Sequence, residues 1–556
     1  MSAAPLHVRW LGRVRYQDGL ALQEGLFERS ADDHLLLLEH PHVYTLGVRA
    51  DTGNVLVDPA SVGAELVRSN RGGDVTYHGP GQLVGYPILS VPGLGGGGKA
   101  DTVAYVRSVE QLVIDSLGDL GLAADRLTGY PGVWVDVGSA APRKICAIGV
   151  RLTRGRSMHG FALNVDPDLS MFGHIVPCGI ADKAVTSLAA EGIDAPMATV
   201  VDAFVARASA RWGGGGVDRQ DVAWRVADVD LAPFSRGEGP GEVERPEPRP
   251  RSHARLQQAG VTDGLSISAR KPDWAKAKVA ITPDYLRLKR TMRDLSLVTV
   301  CEEAGCPNIF ECWADGTATF MINGERCTRA CGFCLVDTRH PEPLDPGEPE
   351  RVADAVAQLG LAHAVVTCVA RDDLPDGGAS GFVATIETIR RRSPSTRVET
   401  LISDCKGDPA SLGAIFDARP DVLNHNLETV ARLQRAVRPS ASYARSLAVL
   451  ARAKAAGLVT KSSLMVGLGE TDDEVRAALA DLRGVGVDIV TIGQYLRPTT
   501  HHLPVARWWG PAEFADLKAA GEAMGIGHVE ASPLTRSSHH ARQSAEAVLP
   551  LPTPAP

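Results

Sequence analysis

Cys327-Thr-Arg-Ala-Cys331-Gly-Phe-Cys334 sets three cysteines at a C-x3-C-x2-C spacing, with an aromatic residue before the last. Three thiolates on one short loop can hold three irons of a [4Fe–4S] cluster and leave the fourth iron open to a ligand. A zinc knuckle is the alternative, but structural zinc takes four ligands, commonly in paired spacings. Around this loop, short apolar runs alternate with amphipathic stretches. The runs are TATFMING (317–324), AVVTCVA (364–370), RVETLIS (397–403), DVLNHNL (421–427), TKSSLMVGL (460–468) and DIVTIGQYL (488–496). Between them lie segments such as ERVADAVAQLG and TDDEVRAALADLRGVG. Thr471 followed by Glu474 opens the latter as a capping box. The alternation predicts parallel strands with right-handed crossovers. Six units predict an α/β fold with a partial (βα)6 TIM-like barrel. The cysteine loop then sits at the C-terminal strand ends, where barrel enzymes keep their chemistry.

At 556 residues the chain is too long for a single core. With 44% hydrophobic and 22% charged residues and a net charge of −8, it has no nucleic-acid footprint. It contains no run of 18 apolar residues, so no membrane span is expected. MSAAPLHVRWLGRVRYQ lacks the apolar core of an export signal. Ten cysteines without such a signal predict metal binding and catalysis in a reducing, cytoplasmic setting.

Pro233 to Arg251, PFSRGEGPGEVERPEPRPR, holds five prolines, three glycines, four glutamates and four arginines. Such a stretch buries too little apolar surface to offset its ordering entropy and reads as a disordered linker. The expected organisation is an N-terminal unit over 1–225, a linker over 226–269, a C-terminal unit over 270–545 and a disordered tail over 546–556. A flexible linker of this kind raises the local concentration of one unit at the other to the order of mM.

A second cysteine trio, Cys301, Cys306 and Cys312 in CEEAGCPNIFEC, has C-x4-C-x5-C spacing. By itself it fits zinc or a structural cluster. The C-x3-C-x2-C loop closely resembles that of radical S-adenosylmethionine enzymes. The region from about Arg270 to Ala541 resembles lipoyl synthase, through CEEAGCPNIFEC, CTRACGFC, RDDLPDGGA (371–379), NHNLETV (424–430), MVGLGET (465–471) and RSSHHA (536–541). The resemblance implies two [4Fe–4S] clusters. One, on Cys327, Cys331 and Cys334, would bind and cleave S-adenosylmethionine. The auxiliary cluster, on Cys301, Cys306, Cys312 and a C-terminal serine, would be consumed as sulfur donor. Aligning RSSHHA with the family's RSSYHA assigns that serine as Ser538; the departure is His539, where tyrosine is usual. An octanoyl chain has no acidic C–H at the two reacting carbons, so only a radical removes those hydrogens. A ferredoxin or flavodoxin electron donor is implied. Arg371, Asp372, Asp373, Asn426, Glu428, Gly467 and Gly469 are candidates for S-adenosylmethionine binding or for stabilising their own loops. Cys368 and Cys405 read as small buried hydrophobes.

In the first half, Arg71-Gly-Gly-Asp-Val-Thr-Tyr-His78-Gly-Pro-Gly-Gln82 allows close backbone approach to a ligand. It has no G-x4-GK[ST] pattern, hence no phosphate loop. With KICAIGV (144–150), HGFALNV (159–165) and PCGI (177–180), the region from about Val8 to Arg211 resembles lipoyl(octanoyl) transferase. The implied fold is the mixed α/β fold of biotin and lipoate ligases. A thiolate nucleophile would split the acyl transfer in two. Two thiols are candidates: Cys146, on one strand face with Lys144, and Cys178, in a Pro-Cys-Gly turn. The resemblance picks Cys178 as the acyl carrier and Lys144 as its partner, leaving Cys146 to packing. It also implies that Arg71, Gly72, Gly73, Asp74, Val75, Thr76, Tyr77, His78, Ala147, Ile148, Gly149, Gly160, Phe161 and Ala162 wall the acyl pocket. His159 reads as a general base or a hydrogen-bonded structural histidine.

Together the halves resemble a fusion of two consecutive steps of lipoate assembly. The implied partners are acyl carrier protein, the lipoyl domains of 2-oxoacid dehydrogenase complexes and the glycine cleavage H protein. Two other classes compete. An iron-sulfur sensor would leave Lys144 and Cys178 unexplained, and an ATP-dependent ligase of free lipoate would need no cysteine.

Overall fold

The computed structural model describes residues 4–91, 101–177, 183–223, 255–257, 259–261, 264–265, 270–276, 282–299, 302, 306–314 and 317–549. The chain divides into two units, Met1–Trp224 and Arg225–Pro556.

The N-terminal unit holds strands β1 (Leu6–Arg13), β2 (His34–Glu39), β3 (Val43–Leu46), β4 (Glu65–Arg68), β5 (Val75–His78), β6 (Gln82–Ile88), β7 (Asp125–Leu127), β8 (Tyr130–Val135), β9 (Arg143–Thr153), β10 (Arg156–Asn164), β11 (Ala184–Val185) and β12 (Val217–Asp221). A nine-stranded sheet runs β12-β1-β2-β6-β10-β9-β8-β7, with β11 on β9. A small sheet, β4-β3-β5, lies apart from it. β1 pairs in parallel with both β12 and β2, whereas β6, β10, β9 and β8 pair antiparallel. The leucines of HLLLLE in β2 are buried on both faces, as a central strand requires. Helices Tyr16–Arg29, Thr102–Asp119 and Met197–Trp212 complete the unit. Phe204 of the last stacks on Phe161 of β10 at 5.1 Å. This is the expected mixed α/β fold.

The C-terminal unit holds β13 (Val298–Thr299), β14 (Ala318–Ile322), β15 (His363–Cys368), β16 (Arg397–Leu401), β17 (Val422–Asn424), β18 (Val459–Val466), β19 (Ile489–Gln494) and β20 (His528–Ala531). They form one sheet in sequence order, all parallel except β13. The six expected strands are β14 to β19. β20 adds a seventh parallel strand, whose four residues are too few to show a pattern in sequence. The capping box at Thr471 and Glu474 forms as expected.

Two expected limits move. Residues 224–254 lie outside the described residues, but described residues beyond them bind the C-terminal unit. Leu256 and Ala259 are buried, Leu265 N donates to Val505 O at 2.7 Å, and Arg432 holds Ala259 O. Leu256, Ala259 and Leu265 bring the apolar surface that the Pro/Glu/Arg-rich stretch lacks, so the segment expected as linker up to Ala269 is partly docked. At the other end, helix Ala541–Val548 runs past the expected limit at 545, while 550–556 lie outside the described residues. Among the described residues no helix is long and apolar enough to cross a membrane.

Candidate functional site

In the N-terminal unit, antiparallel pairing sets Gly149 opposite Gly160 and Ala147 opposite Ala162. These small rungs leave room for a cavity of about 470 Å³, within the usual range for ligand pockets. Lys144, Ala147, Ile148, Gly149, Gly160, Phe161 and Ala162 line it, as do Arg71, Gly72, Gly73, Asp74, Thr76 and His78. The glycines permit backbone contact: a Cβ on Gly149 would lie 3.0 Å from Gly72 O, and one on Gly160 would lie 2.2 Å from Gly85 O. Val75 and Tyr77, expected as pocket walls, do not line it. β5 alternates its side chains, so Thr76 and His78 face the cavity while Val75 and Tyr77 pack with Tyr44, Met171 and Phe172. Tyr16, Arg49, Tyr86 and Tyr130 also line the cavity; they lie outside the quoted motifs and carry no sequence signal.

Lys144 is 7% exposed, and its Nζ lies 4.8 Å from the centroid of the Trp134 ring, within cation–π range. No described carboxylate pairs with it within 4.0 Å. Cys146 shares its strand face but is 1% exposed, and burial pushes its thiol far above the usual range. It stays a neutral, packed thiol. Cys178 lies outside the described residues. Arg71 is buried; Nη2 donates to Thr45 O at 2.6 Å and Nη1 to Gly72 O at 3.0 Å. It clamps the 71–82 loop to β3.

His159 Nε2 meets Asn70 Oδ1 at 2.5 Å; burial, helped by Arg71, pushes its imidazole down to about 3. It is thus too weak a base for proton abstraction at neutral pH, and the structural reading fits. His40, between Val14 O at 2.6 Å and Tyr86 Oη at 2.7 Å, is pushed down to about 4 by burial. As pH falls through 6.5, the unfolded chain protonates both imidazoles while the folded unit refuses the protons. Stability of the N-terminal unit is therefore expected to fall between about pH 6.5 and pH 4, by up to about 1.4 kcal/mol per pH unit for each imidazole. Pulse proteolysis in urea at pH 7 and pH 5 reads this as a lower midpoint at pH 5; equal midpoints would contradict it.

In the C-terminal unit, the cysteine loop follows β14 at its C-terminal end. Cys327, Cys331 and Cys334 line a cavity of about 360 Å³ together with Cys306, Asn426, Glu428, Arg438, Ser537 and Ser538. Cys301 lies outside the described residues. Cys312 is not among the lining residues; it sits on helix Ile309–Ala314 and packs beside Cys306 against the core. Asn308 Nδ2 donates to Leu534 O at 2.6 Å and so ties the stretch between Cys306 and Cys312 to the chain just ahead of the RSSHH segment.

The residues fit an iron-sulfur cluster. Burial pushes Cys327 up to about 11, and Cys331 and Cys334 also rise. The three half-buried thiols crowd one another, and a cluster would take them as thiolates and release their protons. Cys327 Sγ accepts Arg329 N at 3.4 Å and Ala370 N at 3.3 Å, bonds of the kind that support cluster thiolates.

Of the candidates for S-adenosylmethionine, Asn426 and Glu428 reach this cavity; burial pushes Glu428 up, with Arg438 and Arg536 opposing. Arg371, Asp372 and Asp373 do not reach it. Arg371 Nη1 donates to Asn323 O at 2.8 Å and Nη2 to Asp373 at 2.8 Å. Asp372 accepts both Nε (2.7 Å) and Nη2 (2.8 Å) of Arg329, and that Nη2 also meets Asp404 at 2.6 Å. Gly467 and Gly469 serve packing, since a Cβ would lie 2.1 Å from Gln494 and 2.4 Å from Val261, respectively. Cys405 is buried as expected; Cys368 is half-buried and lines the cavity.

Comparisons agree with this geometry. Residues 321–482 match the radical SAM superfamily, and residues 248–306 match the N-terminal domain of lipoyl synthase. The C-terminal unit is thus a radical S-adenosylmethionine domain. Lipoyl synthase of Rubrobacter xylanophilus is 58% identical over 278 residues, 50% of this chain and 87% of that protein. Lipoyl synthase of Mycobacterium tuberculosis is 54% identical over 287 residues, 52% of this chain and 92% of that protein. The chain belongs to the lipoyl synthase family. Ahead of that unit, residues 15–209 match the lipoyl protein ligase A/B catalytic domain. A bi-partite lipoate protein ligase from Thermoplasma acidophilum overlaps 40% of this chain and 89% of its own, at 20% identity and a TM-score of 0.33. The chain is an enzyme of lipoate biosynthesis, and its family uses S-adenosylmethionine and [4Fe–4S] clusters.

Proposed function

We propose that the N-terminal unit transfers octanoyl from acyl carrier protein, through a thioester on Cys178, to a lysine of a lipoyl domain, and that the C-terminal unit inserts two sulfurs into the attached chain. The observation that carries the second step is the meeting of Cys306 and Ser538 with Cys327, Cys331 and Cys334 on one cavity. Cys327, Cys331 and Cys334 would hold one [4Fe–4S] cluster; Cys301, Cys306, Cys312 and Ser538 would hold the other. When bound, the two clusters supply the electron that cleaves S-adenosylmethionine and the sulfur that is inserted. Asn426 and Glu428, inside the cavity, would orient S-adenosylmethionine. Ser538 is a harder, weaker ligand than a thiolate, suited to release as sulfur leaves.

For the first step, Lys144 beside the glycine-walled cavity supplies a charge that favours the Cys178 thiolate. The same side chain can take up the proton of the attacking lysine. Acyl carrier protein, lipoyl domains and a ferredoxin- or flavodoxin-type reductant are the partners this chemistry needs.

The test uses the full chain after anaerobic reconstitution. About eight irons per chain are expected, four for each cluster. Incubation with octanoyl-acyl carrier protein, an apo lipoyl domain, S-adenosylmethionine and reductant should convert that domain first to its octanoyl and then to its lipoyl form, read by intact mass. About four irons would remove the sulfur donor. Transfer from free octanoate and ATP, with none from acyl carrier protein, would replace the first step by ligation.

A further inference from the structure

His539 stands where the resemblance to lipoyl synthase implies tyrosine, and its Nε2 faces Glu311 of helix Ile309–Ala314. The residue is 6% exposed, yet neither ring nitrogen has a hydrogen-bond partner. Its Nε2 lies 3.7 Å from Glu311 Oε2. His540 stacks on it with ring centroids 3.8 Å apart. The Nε2 of His540 lies 3.4 Å from Glu311 Oε1 and its Nδ1 lies 3.4 Å from Glu530 Oε1. His540, the residue before helix Ala541–Val548, adopts φ of 50°, an uncommon left-handed conformation.

We propose that Glu311, His539 and His540 form a binding site for a divalent transition-metal ion of the Zn²⁺ or Fe²⁺ type. One ligand atom from each lies within 4.8 Å of the others. Ligands at about 2.0–2.2 Å from zinc stand roughly 3–3.5 Å apart, so a small closure completes the set. Two imidazoles and a carboxylate are an established donor combination for zinc and ferrous iron. Glu530, facing the second nitrogen of His540, is placed as the outer carboxylate that orients a ligating histidine. Without an ion, a buried imidazole with two unmatched nitrogens opposes folding; an ion at Nε2 gives it a partner.

Glu311 precedes Cys312, and Ser538 precedes His539. An ion here would pin the segment bearing Ser538 to the helix bearing Cys312. The site uses none of the cluster ligands assigned above, so it stands or falls separately from them.

The test takes the full chain with its clusters reconstituted, so that the cysteines are occupied, and dialyses it against radiolabelled Zn²⁺. The natural chain is expected to bind one more equivalent than His539→Tyr or Glu311→Gln, at least about tenfold more tightly than any residual site. His539→Tyr places there the residue that the resemblance implies and should keep its iron content. Equal zinc stoichiometry and affinity in all three proteins would overturn the proposal. Zinc X-ray absorption of the natural chain provides the second reading: nitrogen and oxygen neighbours support the site, and sulfur neighbours overturn it.

Discussion

Lys144→Met is expected to slow octanoyl transfer by about 10²–10⁴-fold, the usual weight of a positioned proton-transfer group, while leaving the N-terminal fold in place. Methionine keeps the length of the side chain and its packing over Trp134, so the loss is of charge and of a proton site. The position is confined: a Cβ on Gly132 would lie 3.6 Å from Lys144 Cε and 2.5 Å from Cys146 O. Gly132 thus lets the backbone carbonyl of Cys146 approach closely, and the lysine beside it lines the cavity. Without the ammonium, the nucleophilic thiol stays protonated at neutral pH. Acylation by the variant should then rise with pH over the range where an ordinary thiol titrates, about 8–9, and the natural protein should be flatter there. Single-turnover acylation from octanoyl-acyl carrier protein between pH 6 and 9, with a melting curve for each protein, reads both effects. A rate within about threefold of the natural one, with the same pH profile, would remove Lys144 from the mechanism.

Arg329→Met is expected to destabilise the C-terminal unit by about 3–5 kcal/mol, because it leaves buried carboxylates without their cation. Asp404 is 1% exposed. Burial pushes its carboxyl up, but Arg329 and then Arg445 overcome this and hold it well below the ordinary range. Arg445 alone, at 3.6 Å, is a poorer partner than Arg329 at 2.6 Å. The pH dependence carries the sign of the argument. In the natural protein the depressed Asp404 contributes stability above the ordinary carboxylate range and loses it as pH falls. In the variant burial dominates, so Asp404 gains by protonation as pH falls. The stability gap should therefore narrow from pH 7 towards pH 4. Because Arg329 sits between Cys327 and Cys331, iron retention should fall with it. Urea midpoints and iron content measure the two; a loss below about 1 kcal/mol at pH 7 would show that the network does not need Arg329.

Local periodicity and side-chain chemistry made much of this protein legible in sequence. The short apolar runs became β14 to β19, and the capping box at Thr471 formed, because both patterns depend on near neighbours. β20 was missed because four residues carry too little pattern. Val75 and Tyr77 were assigned to the pocket because a motif names a stretch, whereas a strand turns alternate residues to opposite sides. Asp372, in the charged RDD run, read as a candidate either for S-adenosylmethionine or for its own loop; its partner is Arg329, 43 positions away. Lys461 sits in an otherwise ordinary strand, yet it is fully buried with its Nζ 3.0 Å from Glu399. Nothing local distinguishes that pair from solvated charges.

The sequence by itself determined the kinds of chemistry: thiol trios at ligand spacing, a lysine beside glycine-walled strands, and a parallel α/β scaffold. These follow from residue type and from spacing along a few turns of chain. Only the tertiary structure decided which of these groups meet. Cys306, the 327–334 loop and Ser538 share one cavity, and His540 reaches Glu311 across 229 positions. Such meetings depend on where the sheet brings the chain back, and that is set by the packing of the whole unit.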